Sequence, residues 1–140
     1  MNARMFALVF GIVYLLVGLL GFAATGTSMA AGPDAPRLMG LFPLNMLHNI
    51  VHILIGLWGL ASYRSAAGAI AYARGLAILY ALLAIMGLLP APFQTTFGLV
   101  PIYGADVALH ALTAIIAAYF GWAAPTERIE AVDASRVARR

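Results

Sequence analysis

The stretch Gly40-Leu41-Phe42-Pro43-Leu44-Asn45-Met46-Leu47-His48-Asn49-Ile50-Val51-His52 aligns without a gap on Gly98-Leu99-Val100-Pro101-Ile102-Tyr103-Gly104-Ala105-Asp106-Val107-Ala108-Leu109-His110, at a constant offset of 58. The two copies contain all three histidines of the chain. Each copy places two metal-competent side chains four residues apart, His48 with His52 and Asp106 with His110. Residues four apart on a helix lie about 40° from each other around the axis, so each pair shares one face. A pair of helices carrying these faces could close a four-ligand site.

Composition sets the environment in which these helices stand. The chain has 140 residues, 64% hydrophobic and 9% charged, with a mean hydropathy of +0.95; a soluble domain carries about 25% charged residues. This is the composition of an integral membrane protein. Cysteine is absent, which excludes disulfides, iron–sulfur clusters and thiolate metal sites. All eight basic residues are arginines, and no basic cluster sits on a soluble face, so nucleic acid is not an expected partner.

A bilayer core of about 30 Å needs roughly 20 helical residues. Four segments meet that length, near Met5–Ala24, Leu44–Tyr63, Ala66–Leu89 and Ala105–Ala124. They predict one all-α domain over residues 1–124, a four-helix bundle of two repeated hairpins, with a tail over 125–140. Pro33 and Pro36 interrupt the chain after the first span, and Pro90, Pro92 and Pro101 after the third. Pro43 and Pro101 read as first-turn residues of the second and fourth helices.

Arg4, Arg64, Arg74, Arg128, Arg136, Arg139 and Arg140 fall on one side of this four-span arrangement, and Arg37 alone on the other. The positive-inside rule then puts both termini in the cytoplasm and the histidines toward the outer face. Met1–Ala31 also has features of a cleaved signal peptide, but its apolar run is long for one. Ala3-Arg4 and its successor resemble Ala73-Arg74, with Phe10 opposite Tyr80, which favours retention as the first helix of a duplicated hairpin.

The run Phe42-Pro43-Leu44-Asn45-Met46-Leu47-His48-Asn49-Ile50-Val51-His52, followed by Gly56 and Gly59-Leu60, resembles the signature of the bacterial four-helix membrane family catalogued as domain of unknown function 4383. The resemblance covers nearly the whole chain, including the weaker second signature from Asp106 to His110. It implies a fold and a place in the bacterial inner membrane. It carries over no catalytic residue.

The site residues are therefore read from their own chemistry. Asn45, His48, Asn49 and His52 fall within an arc of about 100° on the second helix, and Asp106, His110 and Thr113 within about 60° on the fourth. Polar groups in hydrocarbon face the bundle interior. His48, His52, Asp106 and His110 form a ligand set suited to zinc, copper, iron or manganese, with Asn45 and Asn49 as outer hydrogen-bonding partners. Met29, Met39, Met46 and Met86 lie toward the same end and would suit copper(I), although methionine is also ordinary apolar filling.

Other readings stand beside this one. His52 and His110 could hold a tetrapyrrole, haem or chlorophyll, with Gly56, Gly59, Ala114, Ala117 and Gly121 leaving room for a flat macrocycle. The same small residues equally serve close helix packing. The polar groups could form a purely structural network, in a small subunit of a larger membrane complex or in a homo-oligomer. Catalysis would need a metal with an open position and Asp106 as base. No Ser/His/Asp grouping of usable spacing and no glycine-rich phosphate loop accompanies it. The tail from Pro125, with mixed charge, suits a surface helix or disordered end whose arginines meet anionic lipid.

Overall fold

A computed structural model describes residues 1–124; the tail expected over 125–140, with four of the arginines used to orient the chain, lies outside the described residues. The helices are α1 (Ala3–Thr25), α2 (Met46–Ser62), α3 (Ala66–Leu88) and α4 (Ala105–Ala118), the last continuing as a π turn over Tyr119–Ala123. Their bounds lie within a few residues of the four expected spans. Two short strands, β1 (Arg37–Leu38) and β2 (Phe42–Pro43), pair antiparallel in the first loop, and a 3-10 turn (Phe93–Thr95) lies in the second.

Side-chain caps set where three of the helices begin. Asn2 accepts from the Met5 backbone N–H, Asn45 from His48 and Ser65 from Gly68, each satisfying a donor that the first turn leaves without an intrahelical partner. The Asn45 cap corrects the expected role of Pro43. That proline lies in β2, opposite Arg37, and α2 starts three residues later, at Met46. Pro101 likewise precedes α4, whose N-cap is Gly104 at φ 69°. His48 and Asp106 therefore stand in the first turns of their helices.

The late start also shortens α2. At 17 residues it spans about 26 Å, against about 35 Å for the 23 residues of α1 or α3. Three helices, Ala3–Thr25, Ala66–Leu88 and Ala105–Ala123, are long and apolar enough to cross a membrane, with α2 a shorter apolar helix beside them. The outer surface is what such a setting requires. Leu16, Leu20, Leu54, Leu82, Ile85 and Ile115 are exposed, while Asn45, His48, Asn49, His52, Asp106 and His110 are buried.

The helices pack as two hairpins, α1 against α2 and α3 against α4, joined through α1 with α3 and α2 with α3. The second and fourth helices, which carry the candidate ligands, are not close neighbours. No Cα atoms of α2 and α4 lie within 8 Å of each other, so only their longer side chains meet. Glycine brings the first hairpin close: a Cβ at Gly56 would stand 2.7 Å from the Leu15 backbone nitrogen and 2.8 Å from the Gly11 carbonyl. Phe6, Tyr72, Leu76 and Phe120 fill the core toward the chain termini, with Phe6 and Phe120 stacked at 4.9 Å.

An arginine ties each hairpin at that end. Arg4 Nε donates to the Tyr63 carbonyl at 2.9 Å, and Arg74 Nε to the Gly121 carbonyl at 2.8 Å. Both acceptors lie at helix C-terminal ends, where carbonyls lack partners and cations are favoured. The arginines stand 70 residues apart and the acceptors 58 apart.

At the opposite end the two loops clasp each other reciprocally. Asn45 Nδ2 donates to the Leu99 carbonyl at 2.8 Å, and the Tyr103 hydroxyl donates to the Gly32 carbonyl at 2.6 Å. Asn45 and Tyr103 are equivalent positions at the offset of 58. Leu44 and Ile102, also equivalent, are each 1% exposed. Together they roof the first turns of α2 and α4.

Candidate metal centre

Under that roof His48, Asp106 and His110 converge. Each offers one ligand atom, and these atoms all lie within 4.8 Å of one another. Two donors on one metal at about 2.0–2.2 Å stand no more than about 4.4 Å apart, so a small closing of these side chains would bring the three atoms onto one ion. His48 comes from the first turn of α2, Asp106 from that of α4, and His110 from one turn further along α4. Asp106 stands in the first turn of α4, whose N-terminal end carries no side-chain cap and presents a field that favours a carboxylate.

Of the four ligands expected from the sequence, the structure brings these three into mutual reach. His52 sits one turn deeper, its ring 4.4 Å from that of His48, outside the three-residue grouping. His48 and His110 ring centroids are 6.2 Å apart. Two tyrosines complete the surroundings: Tyr14 lies 5.5 Å from His52 and 5.6 Å from Tyr80, and Tyr80 meets His110 edge-on at 5.0 Å. The five rings thus form a closed circuit across α1, α2, α3 and α4. Sequence reading missed Tyr14 and Tyr80. The available signal was a phenolic hydroxyl within an apolar span, a group that needs a polar partner in hydrocarbon.

The hydrogen bonding here is incomplete. His48, His52, Asp106 and His110 are at most 6% exposed, yet Nδ1 of each histidine and Oδ2 of Asp106 lack a hydrogen-bond partner among the described residues. Asp106 Oδ2 stands 3.5 Å from His110 Nε2, close enough for electrostatic attraction but beyond the usual 2.7–3.2 Å of a hydrogen bond. Each such orphan costs about 1–3 kcal/mol. Four in one cluster call for a shared partner.

The two asparagines have structural tasks. Asn45 caps α2 through Oδ1 and clasps the second loop through Nδ2. Asn49 Nδ2 donates to Thr25 Oγ1 at 2.8 Å, and its carboxamide fits against Gly21, where a Cβ would lie 2.0 Å from Oδ1. Apart from the Asn45 cap on the His48 N–H, the bonds of both amides run to α1 and the loops, and the histidine rings receive none of them. Gly56 and Gly59 are likewise engaged by α1: a Cβ at Gly59 would come within 2.8 Å of the Ala7 carbonyl.

Comparison with known families adds one finding. The family model described as Domain of unknown function (DUF4383) matches residues 4–123. The chain belongs to this family. The match takes in all four helices, both loops and every residue of the candidate centre. No curated protein and no solved structure matches the chain, so the chemistry of this DUF4383 member is argued from its own side chains.

Proposed function

We propose that the protein is a membrane protein that binds one divalent transition metal through His48, Asp106 and His110. The observation that carries this reading is the convergence of three buried donors within 4.8 Å in a cluster where Nδ1 of each histidine and Oδ2 of Asp106 have no hydrogen-bond partner among the described residues. Two imidazoles and one carboxylate suit zinc, copper(II), iron or manganese. Three protein donors leave a coordination position for an exogenous ligand, and His52 and Tyr80 border the cluster. Elemental analysis and an absorption spectrum of protein purified in mild detergent test it. Stoichiometric metal without a Soret band is the expected result; protein devoid of transition metal overturns the reading.

The same spectrum addresses tetrapyrrole binding at His52 and His110. Gly56 and Gly59 give their open faces to the α1 backbone, and the cavity beside the two histidines has a volume of about 240 Å³. A cavity of about 150 Å³ holds a benzene. The space matches one substituted ring better than a macrocycle of four pyrroles, which is why the metal is preferred.

The proposal extends to orientation. Arg4, Arg64 and Arg74 belong to the end opposite the loops, and Arg37 to the loop end, so the positive-inside rule places the loops and the metal toward the outer face. Single cysteines at Asp34 and, in the tail, at Ser135 report it with membrane-impermeant thiol reagents. Labelling of the Asp34→Cys variant from outside the cell and of Ser135→Cys only after permeabilisation is expected. The reverse pattern refutes the orientation.

A further inference from the structure

The cavity between α1 and α4 has the form of a ligand site entered from the side. The two helices have no Cα atoms within 8 Å of each other; α1 meets the chain after Ala118 only at the π turn, Tyr119–Ala123. Above that point they diverge and leave a cleft of about 240 Å³. Phe10, Val13 and Val17 of α1 form one wall, and Leu109, Leu112 and Ile116 of α4 the other. Val13 is 47% exposed and Leu112 55%, on the apolar exterior that a bilayer would cover. The cleft opens between these exposed apolar residues of α1 and α4.

Its lining is mostly apolar, and a few polar side chains stand at its inner side, Tyr14, His52, Tyr80, Asp106, His110 and Thr113. Three of these residues carry unpartnered atoms, Nδ1 of His52 and His110 and Oδ2 of Asp106, and all three residues are more than nine-tenths buried. Phe10, Tyr14 and Tyr80 add aromatic surface. An apolar approach therefore ends on a small set of convergent hydrogen-bonding groups, the usual construction of a small-molecule site.

We propose that this cleft binds a neutral phenol-type amphiphile: one aromatic ring whose hydroxyl meets the His52, Asp106 and Thr113 side of the cleft, and whose apolar tail runs out between α1 and α4 into lipid. Neutrality follows from the approach and from the floor. A charged head crossing hydrocarbon pays a large desolvation cost, and an anion would also face the Asp106 carboxylate. A hydroxyl can donate to a carboxylate or imidazole and accept from a tyrosine, threonine or imidazole donor. A cavity somewhat larger than benzene requires takes a single substituted ring, and the surrounding aromatic side chains favour one that stacks or packs edge-on.

This inference goes beyond metal binding and does not require it. The test uses full-length protein in phosphatidylcholine nanodiscs, both chelator-treated and metal-loaded, titrated with radiolabelled 4-octylphenol and with 4-octylanisole, which differs by methylation of the hydroxyl. Saturable binding of the phenol with one site per chain is expected, with the anisole weaker by about tenfold, the worth of one buried hydrogen bond. Val13→Trp or Leu112→Trp, each filling the mouth from one wall, should remove saturable binding and leave metal content unchanged. Equal binding of phenol and anisole by the unsubstituted protein, or no saturable binding of either, overturns the proposal without recourse to the variants. Metal content is read separately on the same samples. Protein that binds the phenol and no metal keeps this inference and loses the metal centre, and the converse result does the opposite.

Discussion

Alanine at His48, Asp106 or His110 is expected to abolish stoichiometric metal binding, while the protein stays folded in detergent. Each substitution removes one of three donors that lie within 4.8 Å of one another, so the loss in affinity should exceed the about 10- to 100-fold typical of an outer partner. His52→Ala should fall within that smaller range, because its ring packs on His48 at 4.4 Å but stands outside the grouping. Asn49→Ala should act through stability, since the amide bonds Thr25. Protons compete with the metal for the imidazole lone pairs, so occupancy should be full at neutral pH and fall on acidification. Metal content measured on each variant, with helicity checked by circular dichroism, decides the matter. Full occupancy in both His48→Ala and His110→Ala would show that the cluster is not the metal site.

Gly56→Val is expected to break the first hairpin. Even the first added carbon would stand 2.7 Å from the Leu15 backbone nitrogen and 2.8 Å from the Gly11 carbonyl, and backbone atoms of two packed helices cannot yield as a flexible side chain can. Overpacking costs about 1–3 kcal/mol and sometimes more. Here it acts on α2, which carries His48, so loss of the metal should accompany loss of stability. Gly32→Ala is the matched control, because its Cβ would meet nothing within 4 Å. Thermal unfolding in detergent, followed by circular dichroism, provides the comparison. A Gly56→Val protein as stable as the Gly32→Ala control would mean that close approach of α1 and α2 is not what holds the hairpin.

The all-α membrane architecture was legible in the chain because hydropathy and helix length are local quantities. Four apolar stretches separated by proline- and glycine-bearing loops led to four helices with bounds within a few residues of those observed. The i, i+4 pairs were legible for the same reason, since the geometry of one helix fixes which of its own side chains share a face. Helix starts were less so. Pro43 and Pro101 look like first-turn residues, but the Asn45 side chain satisfies the His48 N–H and moves the start of α2 downstream, a contact that competes with proline's preference and wins by hydrogen bonding.

Tertiary packing decided what the periodicity of single helices cannot contain. The offset of 58 aligns the start of α2 with that of α4, yet such an alignment does not require adjacency in space, and α1 and α3 contact each other while α2 and α4 meet only through side chains. That separation brings His48 to the α4 donors and keeps His52 a turn below, against Tyr14. It also places Tyr14 and Tyr80, from helices that carry no histidine, around the same centre. The sequence by itself determined the membrane helices and their polar faces, through local hydropathy and helical period. Only the tertiary structure decided which donors converge and where a cleft opens, because both depend on how far apart the packed helix axes lie, a distance set by glycine contacts and clasped loops between segments remote in the chain.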